Sequence, residues 1–164
     1  MHPRATIVLL ATFALAGVTD SNAGENTLAW KSFDTALVEA QKTKKKILID
    51  VYTDWCGWCK RMDKQTYSDR AVANYLTECY VIVKLNAESD AKLTYGNRQY
   101  TERELAAAFG VDGYPSTIFL SSDGEPITIY PGFAEPEHFL QVLSFIAEDH
   151  YLTTTFQDYT SKKK

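Results

Sequence analysis

Two cysteines three positions apart stand in the run Trp55-Cys56-Gly57-Trp58-Cys59-Lys60. The apolar run before them, Ile47-Leu48-Ile49-Asp50-Val51-Tyr52, reads as a buried strand, and the residues after Cys59 read as a helix. A cysteine in the first turn of a helix meets unpaired backbone N–H groups and the positive end of the helix dipole. Both favour thiolate over thiol, so Cys56 is expected to have a lowered pKa and to act as a nucleophile. Cys59 lies one helical turn further on the same face, where it can close a disulfide with Cys56. The chemistry this spacing suits is thiol–disulfide exchange.

Other uses of a cysteine pair are weighed by their ligand sets. A structural zinc site takes about four ligands. The third cysteine is Cys79, and His2, His138 and His150 have no paired spacing, so no metal site is expected. Covalent haem attachment needs a histidine directly after the second cysteine, where this chain has Lys60. Two unrelated buried cysteines would not need the strand before them and the helix after them.

The elements that must position the pair follow in order. Ser32 suits an N-cap, and Phe33, Ala36, Leu37 and Ala40 recur at helical spacing behind it. Residues 47–53 form the central strand, whose continuous apolar character argues burial on both faces. Residues 59–65 continue the active-site helix, and Ser68-Asp69 caps a second helical piece with Ala71, Val72, Tyr75 and Leu76. Residues 80–85 are a second strand, and 87–100 read as a polar surface loop. Thr101-Glu102-Arg103-Glu104 has capping-box form and opens a short helix that Gly110 closes. Gly113-Tyr114-Pro115 precedes a strand at 116–120, Asp123-Gly124 turns it back, and 127–130 return. Pro136 fits the first turn of a last helix with Phe139, Leu140, Leu143, Ile146 and Ala147 on its core face. Residues from 151 onward read as a polar and aromatic tail able to wrap onto the body. This order predicts an α/β fold with a central mixed sheet and helices on both faces, its early strands parallel.

The amino terminus reads as an export signal rather than as part of the fold. Arg4 begins it, residues 5–18 are apolar, and Ser21-Asn22-Ala23 offers a cleavage site. The division expected is a signal peptide at 1–23, one domain at 24–152 and a polar tail at 153–164. The apolar run is short for a membrane span, so the mature chain is expected not to span a membrane. Export would place it in the periplasm or another compartment where disulfides persist. The formal net charge of −4 lends no support to nucleic-acid binding. The cluster Lys42, Lys44, Lys45, Lys46 suits the negative end of a helix.

Four pieces in order resemble the thioredoxin superfamily: residues 50–60, Lys84-Leu85-Asn86, Gly113-Tyr114-Pro115-Ser116, and Asp123-Gly124 with the later Gly132. The likeness runs from about residue 33 to 146. Within the superfamily the chain is similar to exported bacterial members, the carboxy-terminal periplasmic domain of DsbD and the SoxW-type thioredoxins. It departs from thioredoxin in Trp58, where that family has proline, and in the longer segment 87–100.

The resemblance implies a thioredoxin-like fold and a thiol–disulfide oxidoreductase that uses no cofactor beyond its own Cys56–Cys59 disulfide. It places Asp50 beneath Cys59 as a proton acceptor, with Lys84 as the partner of that acid. It makes Pro115 a cis-proline beside Cys56, where Tyr114 would offer backbone groups to an extended substrate. Trp55, Gly57 and Trp58 would flank the reactive sulfur as docking surface. Protein thiols and disulfides are the implied substrates. A membrane protein is the implied electron donor, because the chain carries no nicotinamide or flavin fingerprint. The same chemistry could run as an oxidase or isomerase, and soft thiolates could bind Cu(I) in a delivery module, although no His or Met cluster supports them.

Overall fold

A computed structural model describes residues 28–162. The proposed signal segment lies outside the described residues. Helix α1 (Phe33–Thr43) starts at Ser32, whose hydroxyl accepts from the Thr35 N–H at 3.3 Å. Strand β1 (Lys46–Tyr52) follows, then α2 (Gly57–Met62), which widens into a π-helical turn, Asp63–Tyr67. Helix α3 (Arg70–Cys79) is capped by Asp69, which accepts from the N–H groups of Ala71 and Val72. Strand β2 (Tyr80–Asn86) comes next. The capping box of Thr101 and Glu104 forms as expected and opens α4 (Glu102–Ala108), with Gly110 at positive φ behind it. Strands β5 (Ser116–Leu120) and β6 (Pro126–Pro131) lead to α5 (Pro136–Ala147).

Four of the strands make one mixed sheet in the order β2-β1-β5-β6. β1 pairs β2 in parallel and β5 antiparallel, and β5 pairs β6 antiparallel. Side chains alternate across such a sheet, and the two faces carry separate cores. Ile47, Ile49, Val51, Val83 and Ile118 face α1 and α4. Leu48, Ile82 and Phe119 face α2, α3 and α5, against Met62, Leu76, Phe139 and Leu143.

The segment 87–100, expected as a loop, holds a hairpin of β3 (Lys92–Tyr95) and β4 (Arg98–Thr101). Its physical reason is packing. Leu93 is buried in the core under α1, and Tyr95 and Tyr100 pack against that core. Gly96, at φ +60°, provides the left-handed residue that a two-residue turn needs. Asp34 of α1 accepts from the Thr94 N–H at 2.9 Å, and the Tyr95 hydroxyl donates to the Gly124 carbonyl at 3.0 Å. The tail wraps onto the body as α6 (Phe156–Ser161), where Tyr159 is buried and Phe156 and Tyr159 meet the ring of Phe145.

Candidate active site

The site forms where β1 ends and α2 begins. Cys56 is the N-cap of α2, and its sulfur accepts from the Cys59 N–H at 3.0 Å. Cys56 and Cys59 are joined in a disulfide with their Cα atoms 5.3 Å apart. The cap geometry is the local reason for the chemistry: a sulfur held against helical N–H groups is stabilised as thiolate when the bond is reduced. Both cysteines are only 4% exposed, whereas Trp55 and Trp58 beside them are 67% and 55% exposed. The disulfide is therefore nearly buried, and the two tryptophans next to it in the chain stand out as exposed aromatic shoulders.

Each shoulder is held in place. The Trp55 indole N–H donates to Glu88 Oε1 at 2.9 Å, and its ring meets Tyr114 edge-on at 6.0 Å. Trp58 leans on Phe133, ring centroids 5.6 Å apart. The Arg61 guanidinium lies over both rings, at 5.1 and 4.9 Å, and pairs with Glu135 at 3.6 Å. The Tyr114–Pro115 peptide bond is cis. The Pro115 carbonyl accepts from the Gly132 N–H at 2.8 Å, and the Ser116 hydroxyl donates to the Gly113 carbonyl at 2.7 Å, which fixes the loop from both sides. A Cβ added at Gly57 would meet nothing within 4 Å, so the space above this exposed residue is open.

The strand that leads to Cys56 carries a charged group inside the core. Asp50 lies in the carboxy-terminal half of β1 and is 2% exposed. Its Oδ2 meets Lys84 Nζ at 2.9 Å, across the β1–β2 pairing that sets the two residues opposite each other. Burial pushes the Asp50 carboxyl above the usual carboxylate range, and Lys84 pulls it back only in part. Burial also works against the charge on Lys84. The carboxylates of Asp50 and Asp63 outweigh it and hold Lys84 above its ordinary value. The Lys84 ammonium binds Asp63 as well and sits among the rings of Trp30, Tyr52 and Tyr67, at 5.0, 5.1 and 5.7 Å. Such faces attract a desolvated cation.

The structure thus brings Cys56, Cys59, Asp50, Lys84, Trp55, Gly57, Trp58, Tyr114 and Pro115 to one end of the sheet. Sequence reasoning missed Asp63, Arg61, Glu88 and Phe133. For Asp63 a signal existed, because it lies four positions after Cys59 and so on the same side of the helix. Phe133 and Glu88 come from distant loops and had none. Cys79, at the end of α3, is a half-buried free thiol that burial pushes up. Among the described residues no group of three or more His, Cys, Asp or Glu side chains could hold a metal ion. Among the same residues no helix is long and apolar enough to cross a membrane.

A dithiol at a helix N-terminus, set on this sheet with a buried acid on the strand that leads to it, defines a thiol–disulfide oxidoreductase of thioredoxin-like fold. Residues 33–147 match the thioredoxin-like domain family, and the chain belongs to it. It is similar to the thiol:disulfide interchange protein DsbD of Actinobacillus pleuropneumoniae, 32% identical over 102 residues, which are 61% of this chain and 16% of that protein. The chain therefore spans about a sixth of the length of the curated relatives it matches. Among solved structures, a putative disulphide-isomerase from Bacteroides thetaiotaomicron superposes with a TM-score of 0.59 at 29% identity, covering 75% of this chain and 95% of that one. The oxidised carboxy-terminal domain of Neisseria meningitidis DsbD gives a TM-score of 0.50 at 23% identity, over 70% and 96% of the two chains, which speaks for the fold.

Proposed function

We propose that this is an exported reductase of protein disulfides, cleaved after Ala23 and working in the periplasm on electrons from a membrane protein. The observation that carries the reductive direction is the buried Asp50 on the strand that leads to Cys56, with its carboxyl raised by burial. In the reduced protein Cys56 thiolate attacks one sulfur of a substrate disulfide. A mixed disulfide forms and the first substrate thiolate leaves. Cys59 then loses its proton and attacks Cys56 sulfur. The second substrate thiolate leaves, and the Cys56–Cys59 bond now holds the oxidation that the substrate has lost. Asp50, whose proton affinity burial raises, takes the Cys59 proton. Lys84 keeps the carboxylate charge-balanced afterwards. A dithiol donor returns two electrons to the pair, so no further cofactor is invoked.

Trp55 and Trp58 provide the docking surface on either side of Cys56, and Gly57 keeps the space above it open. Tyr114 and Pro115 offer backbone to an extended substrate segment, in the manner of strand addition. The likeness to a putative disulphide-isomerase favours a second reading, reshuffling of disulfides by the same two steps.

The equilibrium reduction potential of Cys56–Cys59, in the chain beginning at Gly24, tests the direction. A value near about −270 mV, that of thioredoxin, is expected of a reductant. A value near about −180 mV would favour the isomerase reading, and one near about −120 mV would reverse the direction of flow. Export and cleavage are checked by the amino terminus of the protein recovered from a periplasmic fraction.

A further inference from the structure

Of the buried titratable groups that the mechanism leaves unused, one lies beside Asp50. Tyr67 ends the π-helical turn, is buried, and packs edge-on against Trp30 and Phe139, ring centroids 5.1 and 5.7 Å away. Its hydroxyl, Thr117 Oγ1 and Asp50 Oδ1 are all buried; none makes a hydrogen bond of full geometry, yet the Tyr67 hydroxyl lies close enough to both Asp50 and Thr117 to interact with them.

Sheet register puts these oxygens together. Asp50 of β1 has Lys84 opposite it on β2 and Thr117 opposite it on β5. Directly opposed residues project from the same face, so Lys84, Asp50 and Thr117 form one polar row across three strands. The π-helical turn covers that row, since Lys84 bridges Asp50 and Asp63 and lies 5.7 Å from the Tyr67 ring. Burial and the neighbouring Asp50 charge push the Tyr67 hydroxyl well up, so it keeps its proton and remains a donor. An ionised carboxylate only accepts. Lys84 occupies Oδ2, and Oδ1 needs a donor from what surrounds it. A buried polar group left unpaired costs about 1–3 kcal/mol, and here three stand side by side.

We propose that Tyr67 is a positioning residue for Asp50: its hydroxyl, backed by that of Thr117, donates to Oδ1 directly or through one bridging water and holds the carboxylate in place beneath Cys59. The inference rests on the reading of Asp50 as the proton acceptor for Cys59. It divides the two carboxylate oxygens by role. Oδ2 is tied to the ammonium of Lys84, and Oδ1 is tied to neutral hydroxyls whose strength sets how readily the acid takes a proton. The other titratable groups that act on Asp50 are Asp63 on the π-helical turn and Tyr52 on its own strand, and on the proposed mechanism the Cys59 thiol joins them once the pair is reduced.

The test is the titration of the Asp50 carboxyl, followed by carbon-13 NMR in oxidised protein, where neither active-site thiol titrates. Asp50→Asn identifies the signal by its disappearance. Tyr67→Phe removes only the hydroxyl and keeps the ring contacts. It is expected to move the Asp50 midpoint upward by about one pH unit, the effect of removing one donor from a carboxylate. Thr117→Val, which keeps the branched shape, should move it the same way by less. It carries the test alone if Tyr67→Phe does not fold. A midpoint that stays put or falls in the folded variant overturns the inference. The reading needs no substrate, so it is separate from the measurement on which the proposed function depends. A chain without a reversible Cys56–Cys59 couple would strike that function and leave the carboxyl titration to be judged on its own.

Discussion

The two faces of the central sheet come from the same strands and do opposite work. Under α1 and α4 the face is apolar, with Ile49, Val51, Val83 and Ile118 in contact. Under α2, α3 and α5 the apolar pattern of Leu48, Ile82 and Phe119 is interrupted one residue pair further along by Asp50, Lys84 and Thr117. An apolar row there would be more stable, since a buried ion pair is often no better than well-packed hydrophobic residues. The interruption lies at the end of the sheet that meets Cys56 and Cys59. One face holds the strands rigid, while the other gives up stability to place a titratable acid where water does not reach.

The largest loss of stability is expected on the apolar side. Ile49→Ala, at a fully buried position, is expected to cost about 2–5 kcal/mol in denaturant unfolding. The reduction potential of the surviving folded protein should not move. A potential that moved with it would mean that the two faces are not separable.

On the polar side the effect depends on pH. The folded-state pKa of Asp50 lies above its ordinary 3.8. Its contribution to stability is therefore fully present below the unfolded value and is lost as pH rises through the folded value. Asp50→Asn stays neutral, so its unfolding free energy should gain on the parent protein by up to about 1.4 kcal/mol per pH unit between the unfolded value and the folded-state midpoint, and the gain should level off above that midpoint. Disulfide reduction by the same variant should slow by on the order of 10²-fold at pH 7 and lose its pH dependence near neutrality. A stability difference that is flat from pH 4 to pH 9 would remove the raised acid from the account.

Smaller effects are expected outside the core. Trp58→Ala removes a half-exposed ring stacked on Phe133 and Arg61. Loss of a docking contact should raise KM for a protein disulfide roughly tenfold and leave kcat unchanged. An equal fall in kcat would instead make Trp58 part of the chemical step. Gly57→Ala should do least. Its new Cβ meets nothing within 4 Å, and alanine in the first turn of α2 should stabilise by about 0.5–1 kcal/mol. A loss of rate for large substrates alone would show that the open space is used.

Local rules made much of this fold legible in the sequence. Ser32, Asp69 and the Thr101–Glu104 box announce helix starts because a cap is satisfied within a few residues of itself. The CxxC run between a strand and a helix is likewise self-contained, as are the turn glycines Gly110, Gly124 and Gly132, all at positive φ. The hairpin at 92–101 escaped because its short alternation of Leu93 and Tyr95 gains meaning only when α1 covers it.

By itself the sequence determined which residues could do chemistry, where helices begin, and that the strand before Cys56 is buried. Those properties depend on residue type and on neighbours a turn away. Only the tertiary structure decided what surrounds the disulfide. Strand register set Asp50 opposite both Lys84 and Thr117. The packing of the π-helical turn brought Asp63 and Tyr67 to that row. Separate loops delivered Glu88, Tyr114 and Phe133 to the two tryptophans. Contacts between residues far apart in the chain are settled by how faces pack, and spacing along one strand or helix carries no record of them.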